Sequence, residues 1–534
     1  MASSSLNRKV LLSTGIVMAG VLASRLLGFF RQWTVAHEIG VNAATDAYNA
    51  AFTLPDFLNY LVAGGALSVT FIPVFAKYIA ESKEDEGWHV FSTVISVMGI
   101  ALIVLVLAGE ILAPQIVTAI APGFRAGERD ETVFLTRLML PAQFCFYLGG
   151  ILSAVQYAKS RFLVPSLAPV IYNLAIISGG LVLASRIGIT GFSVGVLAGA
   201  LAGNFLLQIY GARRAGARFA PNFDIRHPGF RLFIKLSIPI MLALSLVFTD
   251  DWIIRWFGSF LAQGSITWLS YAKTLMRVPL AVVGQAVGVA SFPFLAQLYS
   301  ENKHAELNRL LNNTLRGLLL LLVPISALTI ALDRPLVYFV FSHTRLRGRD
   351  FTATASALGF FSLGMFAWGA QNILARGFYA TRNTLAPAIV GTAITFLNLP
   401  LYWYLSQQMQ HRGLALASSA GITVYAVALF FLLSRRTENR EAPKVAVFFL
   451  KLCLASAFGG LACFEMAGWL ESRIAWKSMT GSLTVLAPAA ALGLLVIGGL
   501  AKALRIRELD ALLEHLPLGS RLGQHDGRGT PSGL

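Results

Sequence analysis

From Val10 to Phe30 the chain carries one charged side chain, Arg25. Stretches of this kind recur along most of its length, and they decide the fold class. A helix needs about 20 consecutive apolar residues to cross the hydrocarbon core of a bilayer. Charged residues are 13% of the chain and the mean hydropathy is +0.66, against the roughly 25% charged residues of a soluble domain. The chain reads as an all-α polytopic membrane protein.

Run length and polar breaks predict about fourteen spans, at 10–31, 46–79, 88–113, 133–158, 166–186, 188–211, 231–261, 267–298, 314–340, 352–380, 384–405, 413–434, 446–469 and 481–503. The opening "MASSSLNRKV" places two basic residues before the first run. That run exceeds the 7–15 residues of a signal-peptide core, so it is read as the first transmembrane helix. Cys145, Cys453 and Cys463 all lie in apolar runs, without ligand or pairing spacing, and are read as small core residues. The eight histidines do not cluster.

The net charge of +17 is spread over many short loops, a pattern that speaks against nucleic acid as a partner. It fits instead the excess of Lys and Arg on the cytoplasmic side of membrane proteins. With the N-terminus cytoplasmic, the inward loops hold Lys159 and Arg161, the cluster from Arg213 to Lys235, and Arg435 to Lys444. The outward loops hold about half as many basic residues, chiefly in "HTRLRGRD" at 343–350. Both termini are therefore expected in the cytoplasm.

The chain also repeats itself. "YAKSRFLVP" (157–165) matches "YATRNTLAP" (379–387) at an offset of 222, and Gly191 matches Gly413 at the same offset. "GARR", ending at Arg214, matches "LSRR", ending at Arg436, and "IPVFAKY" (72–78) resembles "FPFLAQLY" (292–299) at an offset near 220. The first twelve spans are thus expected to be two parallel six-helix repeats forming two lobes. An even number of spans per repeat relates the repeats by an axis along the membrane normal, and transporters built this way bind substrate between the halves. The expected organisation is an N-lobe at 1–212, a basic cytoplasmic loop at 213–230, a C-lobe at 231–436, spans 13 and 14 at 437–505, and a tail at 506–534. The Gly-rich, polar end of that tail is expected to be disordered.

Charges inside membrane spans are costly, and they mark function. Arg25 and Arg31 lie in the first span, Asp46 and Asp56 in the second, Asp250, Asp251 and Arg255 in the seventh, and Lys273 and Arg277 in the eighth. Arg25 and Arg31 stand about 120° apart on a straight helix, and a bend at Gly28 would bring both toward one cavity. Lys273 and Arg277 share a helix face at i, i+4. Such a pair is tolerated where it faces water or an anion. Asp251 and Arg255 have the same spacing with opposite signs and are expected to compensate each other. That leaves Asp250 over, a candidate for H⁺ or Na⁺. Arg25, Arg31, Lys273 and Arg277 describe a cationic cavity, and a phosphate would offset their desolvation. Asp46 or another acid is the alternative partner for Arg25, and an anchoring role at the interface is the alternative for Arg31. Pro55 and the pair Gly64–Gly65 weaken the second span at two points, as a moving part requires. No His/carboxylate cluster, G-x-S-x-G or Walker loop is present, so a transporter is expected rather than an enzyme.

"SRLLGFFRQ", "ATDAYNAAFTLPDFL", "GALSVTFIPVFAKY", "APGF", "RFLVPSLAPVIYN" and "RGFYATRNTLAP" together resemble the MurJ/MviN family, the lipid II flippases of peptidoglycan synthesis within the multidrug and polysaccharide exporter superfamily. The resemblance runs from about Ser24 to about Arg436. It implies fourteen spans and a substrate of undecaprenyl-pyrophosphate bearing a disaccharide-pentapeptide, carried to the outer leaflet of the bacterial inner membrane. The family's cavity arginines match Arg25 and Arg31, and its aspartate matches Asp46. The chain departs from the family elsewhere. A basic pair common in the second span is Asn59 and Tyr60 here, and a common Glu is Gly64. The usual "YADRLMEFP" reads "YAKTLMRVP", so Thr274 replaces an arginine while Lys273 and Arg277 stand where acids are common.

The sequence is therefore read as a lipid II flippase working by alternating access. Its candidate substrate residues are Arg25, Arg31, Asp46, Asn59, Lys273, Thr274 and Arg277. Candidate ion ligands are Asp250, Asn398 and Ser418, and candidate hinges are Gly28, Gly64 and Gly65. No cofactor is expected beyond Na⁺ or H⁺ as coupling ion, or membrane potential alone. Expected partners are the lipid-linked anionic glycan, membrane lipids and the cell-wall synthesis machinery. The alternatives are an exporter of another polyprenyl-linked glycan or of an amphipathic drug, and a non-transporting scaffold for cell-wall enzymes.

Overall fold

The computed structural model describes residues 2–60, 66–247 and 249–509, and every element among them is helical. Each expected span has its counterpart. Helix α1 (Ala2–Glu38) is the first, extending beyond the apolar run at both ends. Helices α2 (Ala43–Ala51), α3 (Thr53–Leu58) and α4 (Ala66–Ala80) share the second, α5 (Glu84–Ile120) is the third, and α6 (Ala126–Met139) with α7 (Ala142–Ala158) forms the fourth. Helix α8 (Leu163–Ile187) is the fifth; α9 (Thr190–Gly199), a π segment at Ala200–Leu206 and α10 (Leu207–Arg214) make the sixth. The second set comprises α11 (Pro228–Val247) with α12 (Thr249–Gly258), α13 (Ser265–Ser300), α14 (His304–Ala331) with α15 (Asp333–Phe341), α16 (Gly348–Ser362) with α17 (Met365–Ala380), α18 (Leu385–Met409) and α19 (His411–Arg436). Helices α20 (Ala442–Glu471) and α21 (Met479–Ala503) are the last two.

Two of the breaks lie just before prolines. A proline inside a helix cannot donate to the carbonyl four residues back, and its ring crowds that carbonyl. Pro55 would need Ala51, and the helix is interrupted at Phe52. The Thr136 hydroxyl donates to the Ala51 carbonyl instead, at 3.3 Å. Pro335 repeats the arrangement, with the break at Leu332, and the α16–α17 span bends by 43° before Met365.

The backbone repeats as the sequence does. Among the described residues, those with positive φ outside the C-terminal pair of helices fall into five pairs: Gly40 and Gly264, Ser82 and Asn302, Ser160 and Arg382, Gly188 and Gln410, Gly216 and Glu438. Each pair is separated by 220 to 224 residues. Left-handed residues commonly end helices, where their amides satisfy the last carbonyls. The same bonds recur in both copies: Arg161 N–H donates to Gln156 and Asn383 N–H to Phe378. Arg505, the one positive-φ residue without a mate among the described residues, lies beyond the repeat.

Contacts divide the chain into two compact units. The first runs through Thr274 and includes His343–Thr354 and Gly391–Leu414. The second comprises Leu275–Ser342, Ala355–Val390 and the chain from Ala415 on. The first unit holds one core around Phe71, Phe75, Phe91, Tyr147 and Phe233, and another around Tyr48, Leu135, Ile176 and Phe192. The second packs α20 and α21 through Cys463, Ala467, Val485 and Ala489 against Leu332. Cys145 and Cys463 are buried, as expected of core residues, whereas Cys453 is only half-buried.

In the first unit α8 and α9 lie nearly backbone to backbone. Gly191, Gly195, Gly199 and Gly203 recur every fourth residue, the small-residue spacing of close-packed membrane helices. A Cβ on Gly195 would stand 2.7 Å from Ile176 Cα, and one on Gly199 2.8 Å from the Tyr172 carbonyl oxygen. Backbone atoms cannot step aside. Gly195→Leu is therefore expected to cost about 3 kcal/mol and to lower the thermal midpoint and membrane accumulation. Gly498→Ala, where a Cβ meets nothing within 4 Å, should leave both unchanged.

Candidate functional site

The charged residues inside the first unit fall into two classes. Arg255, Lys273, Asp46, Asp56, Asp250 and Asp251 all have partners. Arg25 and Arg31 make no ion pair or side-chain hydrogen bond among the described residues. Both sit on α1, which is one continuous helix through Gly28. Arg25 is exposed and Arg31 half-buried. The Arg31 guanidinium is close enough to Asp56, Tyr48 and Tyr172 to act on them electrostatically. The Tyr48 hydroxyl is buried without a hydrogen-bond partner among the described residues. Asn173 on α8 donates to the Ser24 hydroxyl and carbonyl at 3.3 and 3.4 Å, fixing α1 beside Arg25.

Asp46 has a different neighbourhood. It is 4% exposed, and both carboxylate oxygens are used. One accepts the Gly264 amide at 2.6 Å; the other accepts the Thr267 amide at 2.8 Å and the Thr267 hydroxyl at 2.6 Å. These are the free amides at the start of α13, which every helix N-terminus must satisfy. The local candidate, the Ser265 hydroxyl, makes no hydrogen bond. Asp46 thus caps from α2 a helix that begins more than two hundred residues later, where a negative charge is also favoured by the helix dipole.

Further bonds extend this seam. Asn49 donates to Thr267 at 3.4 Å and accepts from the Ser270 hydroxyl at 3.2 Å. The Ser259 hydroxyl accepts from the Gly123 amide at 3.1 Å, and Gln263 donates to Glu128 at 2.5 Å. A small apolar cluster of Ala50, Ala121, Phe124 and Ile266 fills the middle. The second span of the first repeat is thereby fastened to the first two spans of the second.

Arg255 does not compensate Asp251, as the i, i+4 spacing predicts. It donates to the Thr53 hydroxyl at 3.0 Å and lies 3.5 Å from Asp56. Asp250 is not left over either. Lys273 Nζ stands 2.6 Å from its Oδ2 and also bonds Asp251 Oδ1, while the Tyr402 hydroxyl donates to its Oδ1. The spacing rule assumes a partner on the same helix; here α3, α13 and α18 supply closer ones.

The remaining predicted residues are dispersed. Thr274 turns its hydroxyl back to the Ser270 carbonyl at 2.8 Å, and Asn59 ends α3, half-buried. Arg277 belongs to the second unit and is exposed. Of the candidate ion ligands, Asn398 lies in the first unit, half-buried, and Ser418 in the second, buried. Gly64 and Gly65 lie outside the described residues. Sequence reasoning missed Thr53, Gly264 and Thr267. The visible signal was "GSIT" at 264–267, a helix start needing an acceptor for its amides.

The sequence profile of the family described as "Lipid II flippase MurJ" matches residues 35–484. The chain is 27% identical over 467 residues to the lipid II flippase MurJ of Burkholderia cenocepacia, covering 86% of this chain and 89% of that protein. Its fold is similar to a solved lipid II flippase MurJ in an inward closed conformation, with a TM-score of 0.75 at 22% identity, covering 91% of this chain and 99% of the other. It is also similar to an inward-facing multidrug transporter of the MATE family in the MOP superfamily, with a TM-score of 0.63 at 15% identity, over 78% and 94% of the two chains.

Proposed function

The chain belongs to the MurJ family of lipid II flippases, and from that premise we propose which residues carry the substrate and what drives the cycle. The protein is a transporter, not an enzyme, and moves lipid II across the membrane by alternating access. Arg25 and Arg31 bind the pyrophosphate. The observation that carries this assignment is their lack of any ion pair among the described residues, while Arg255 and Lys273 both sit on carboxylates. Two guanidinium groups within a membrane span need an anion, and a pyrophosphate offers oxygens to both forks.

The two repeats act as the two lobes, and the Asp46 seam closes one end of the path. Both termini face the cytoplasm, and the bilayer is the bacterial inner membrane, as the distribution of basic loops supports. The undecaprenyl tail stays in the bilayer against α20 and α21, where Leu450, Phe458, Leu461 and Leu495 are exposed. After the anion leaves, the potential, negative inside, draws the cationic cavity back at about 2.3 kcal/mol per charge per 100 mV for a full crossing. Clamping the potential to zero with K⁺ and valinomycin should then slow turnover in sealed vesicles; an unchanged rate refutes this drive. The cell-wall synthesis machinery is the expected neighbour that supplies and consumes the substrate. Depleting the protein should leave lipid II on the cytoplasmic face. Accumulation of a different polyprenyl-linked glycan instead would replace lipid II as the cargo.

A further inference from the structure

We propose that the hydroxyls of Tyr48 and Tyr172 are further ligands of the substrate pyrophosphate, two neutral donors that complete the anion site begun by Arg31; this rests on the assignment of Arg31 made above. Tyr48 stands on α2 and Tyr172 on α8, both in the first unit with α1. The face of α1 that carries Arg31 is the one packed on α8. Gly20, Ser24 and Arg31 lie within about 40° of one another around the helix. A Cβ on Gly20 would stand 2.8 Å from the Ser166 carbonyl oxygen, and one on Gly28 3.9 Å from Asn173 Oδ1. Asn173 also bonds Ser24, and Tyr172 is its neighbour in the chain. The charge of Arg31 reaches both phenols.

Neither hydroxyl is used within the described part of the protein. Tyr48 is 3% exposed, and its hydroxyl has no hydrogen-bond partner among the described residues. Its ring is held edge-on by Phe52 at 5.0 Å and Phe192 at 6.3 Å. Tyr172 is half-buried and packs edge-on against Phe146 at 5.1 Å. Its hydroxyl also makes no hydrogen bond among the described residues. Asp56, whose charge acts on both phenols, lies against Arg255 instead. A buried donor left unpaired is destabilising, and phenylalanine at either place would avoid it. The missing acceptor is the anion that Arg31 attracts. A hydroxyl donates to a phosphate oxygen without leaving a bare charge in the membrane when the site is empty. Unpaired donors also reject a ligand that brings no acceptor. Arg31 and Tyr172 are half-buried, so a ligand can reach the site at their level.

The test removes one oxygen at a time. Purified full-length protein carrying Tyr48→Phe, Tyr172→Phe or both is compared with the wild type in thermal unfolding, and in binding of lipid II and of undecaprenyl pyrophosphate, which lacks the glycan. Without ligand the Tyr48→Phe midpoint should stay level or rise, because the lost hydroxyl had no partner. Affinity for both ligands should fall by roughly 10- to 100-fold for each hydroxyl removed. A lower unliganded midpoint with unchanged affinity marks a structural hydroxyl and overturns the proposal. Weakening confined to lipid II, with undecaprenyl pyrophosphate bound as by the wild type, places the hydroxyls on the glycan and overturns it too. Arg31→Ala separates this inference from the reading beneath it. If Arg31→Ala weakens undecaprenyl pyrophosphate and the phenylalanine variants do not, the tyrosines alone fall; if none of them does, the pyrophosphate assignment falls as well.

Discussion

Replacing Arg31 by alanine stops lipid II export while the protein still inserts and accumulates, and Arg25→Ala does the same. Neither side chain holds the fold together, since neither makes an ion pair or side-chain hydrogen bond among the described residues. Their expected contribution appears only when an anion is present. A charge-assisted hydrogen bond is worth about 1.5–3 kcal/mol, and a guanidinium fork makes two to one phosphate. Losing the fork should slow export by roughly 10²–10⁴-fold. Lysine should restore only part of this, because a point charge cannot reproduce two parallel bonds. The check is complementation of a depleted strain, with lipid II counted in each leaflet. Normal export by Arg31→Ala would return that residue to the role of an interfacial anchor.

The second large effect concerns Asp46. Its carboxylate accepts three hydrogen bonds at the start of α13. Asp46→Ala leaves three donors in a buried place without acceptors, at about 1–3 kcal/mol each, so the seam should lose roughly 3–9 kcal/mol. At that summed range, the loss is enough to shift a closed end toward opening by two or more powers of ten. Ala50, 1% exposed within the seam, can report this as Ala50→Cys. A membrane-impermeant maleimide should label that cysteine slowly in the wild-type background and at least tenfold faster with Asp46→Ala. Asp46→Asn retains one acceptor and should fall between. Equal labelling in all three would show that Asp46 does not hold the seam shut.

The helices were legible because apolar length is a strong local signal, and Pro55 marked the weak point of the second span, beside the break at Phe52. The repeat was legible too: an offset found in four short motifs is the offset of the left-handed residues that end the helices. A four-residue glycine period from Gly191 to Gly203 also stands in the sequence and explains how closely α8 and α9 pack. What could not be read was partnership across distance. Helical spacing favours Asp251 for Arg255, yet a residue inside a membrane protein takes whichever partner another helix presents, here Asp56 and Thr53. Lys273 was expected beside the substrate for the same reason: nothing local shows that Asp250 and Asp251 lie against it. Asp46 was marked as a functional acid, but its use as a cap for a helix 219 residues away is a property of packing that composition and periodicity do not carry.

The central claim is that this chain carries lipid II through a cationic path built on α1. The most direct measurement is translocation of fluorescent lipid II in sealed proteoliposomes containing the purified protein, followed by an impermeant quencher. The wild type should move lipid II well above empty vesicles, and Arg25→Ala with Arg31→Ala, reconstituted in equal amount, should match the empty vesicles. Translocation by the double variant at the wild-type rate would contradict the account.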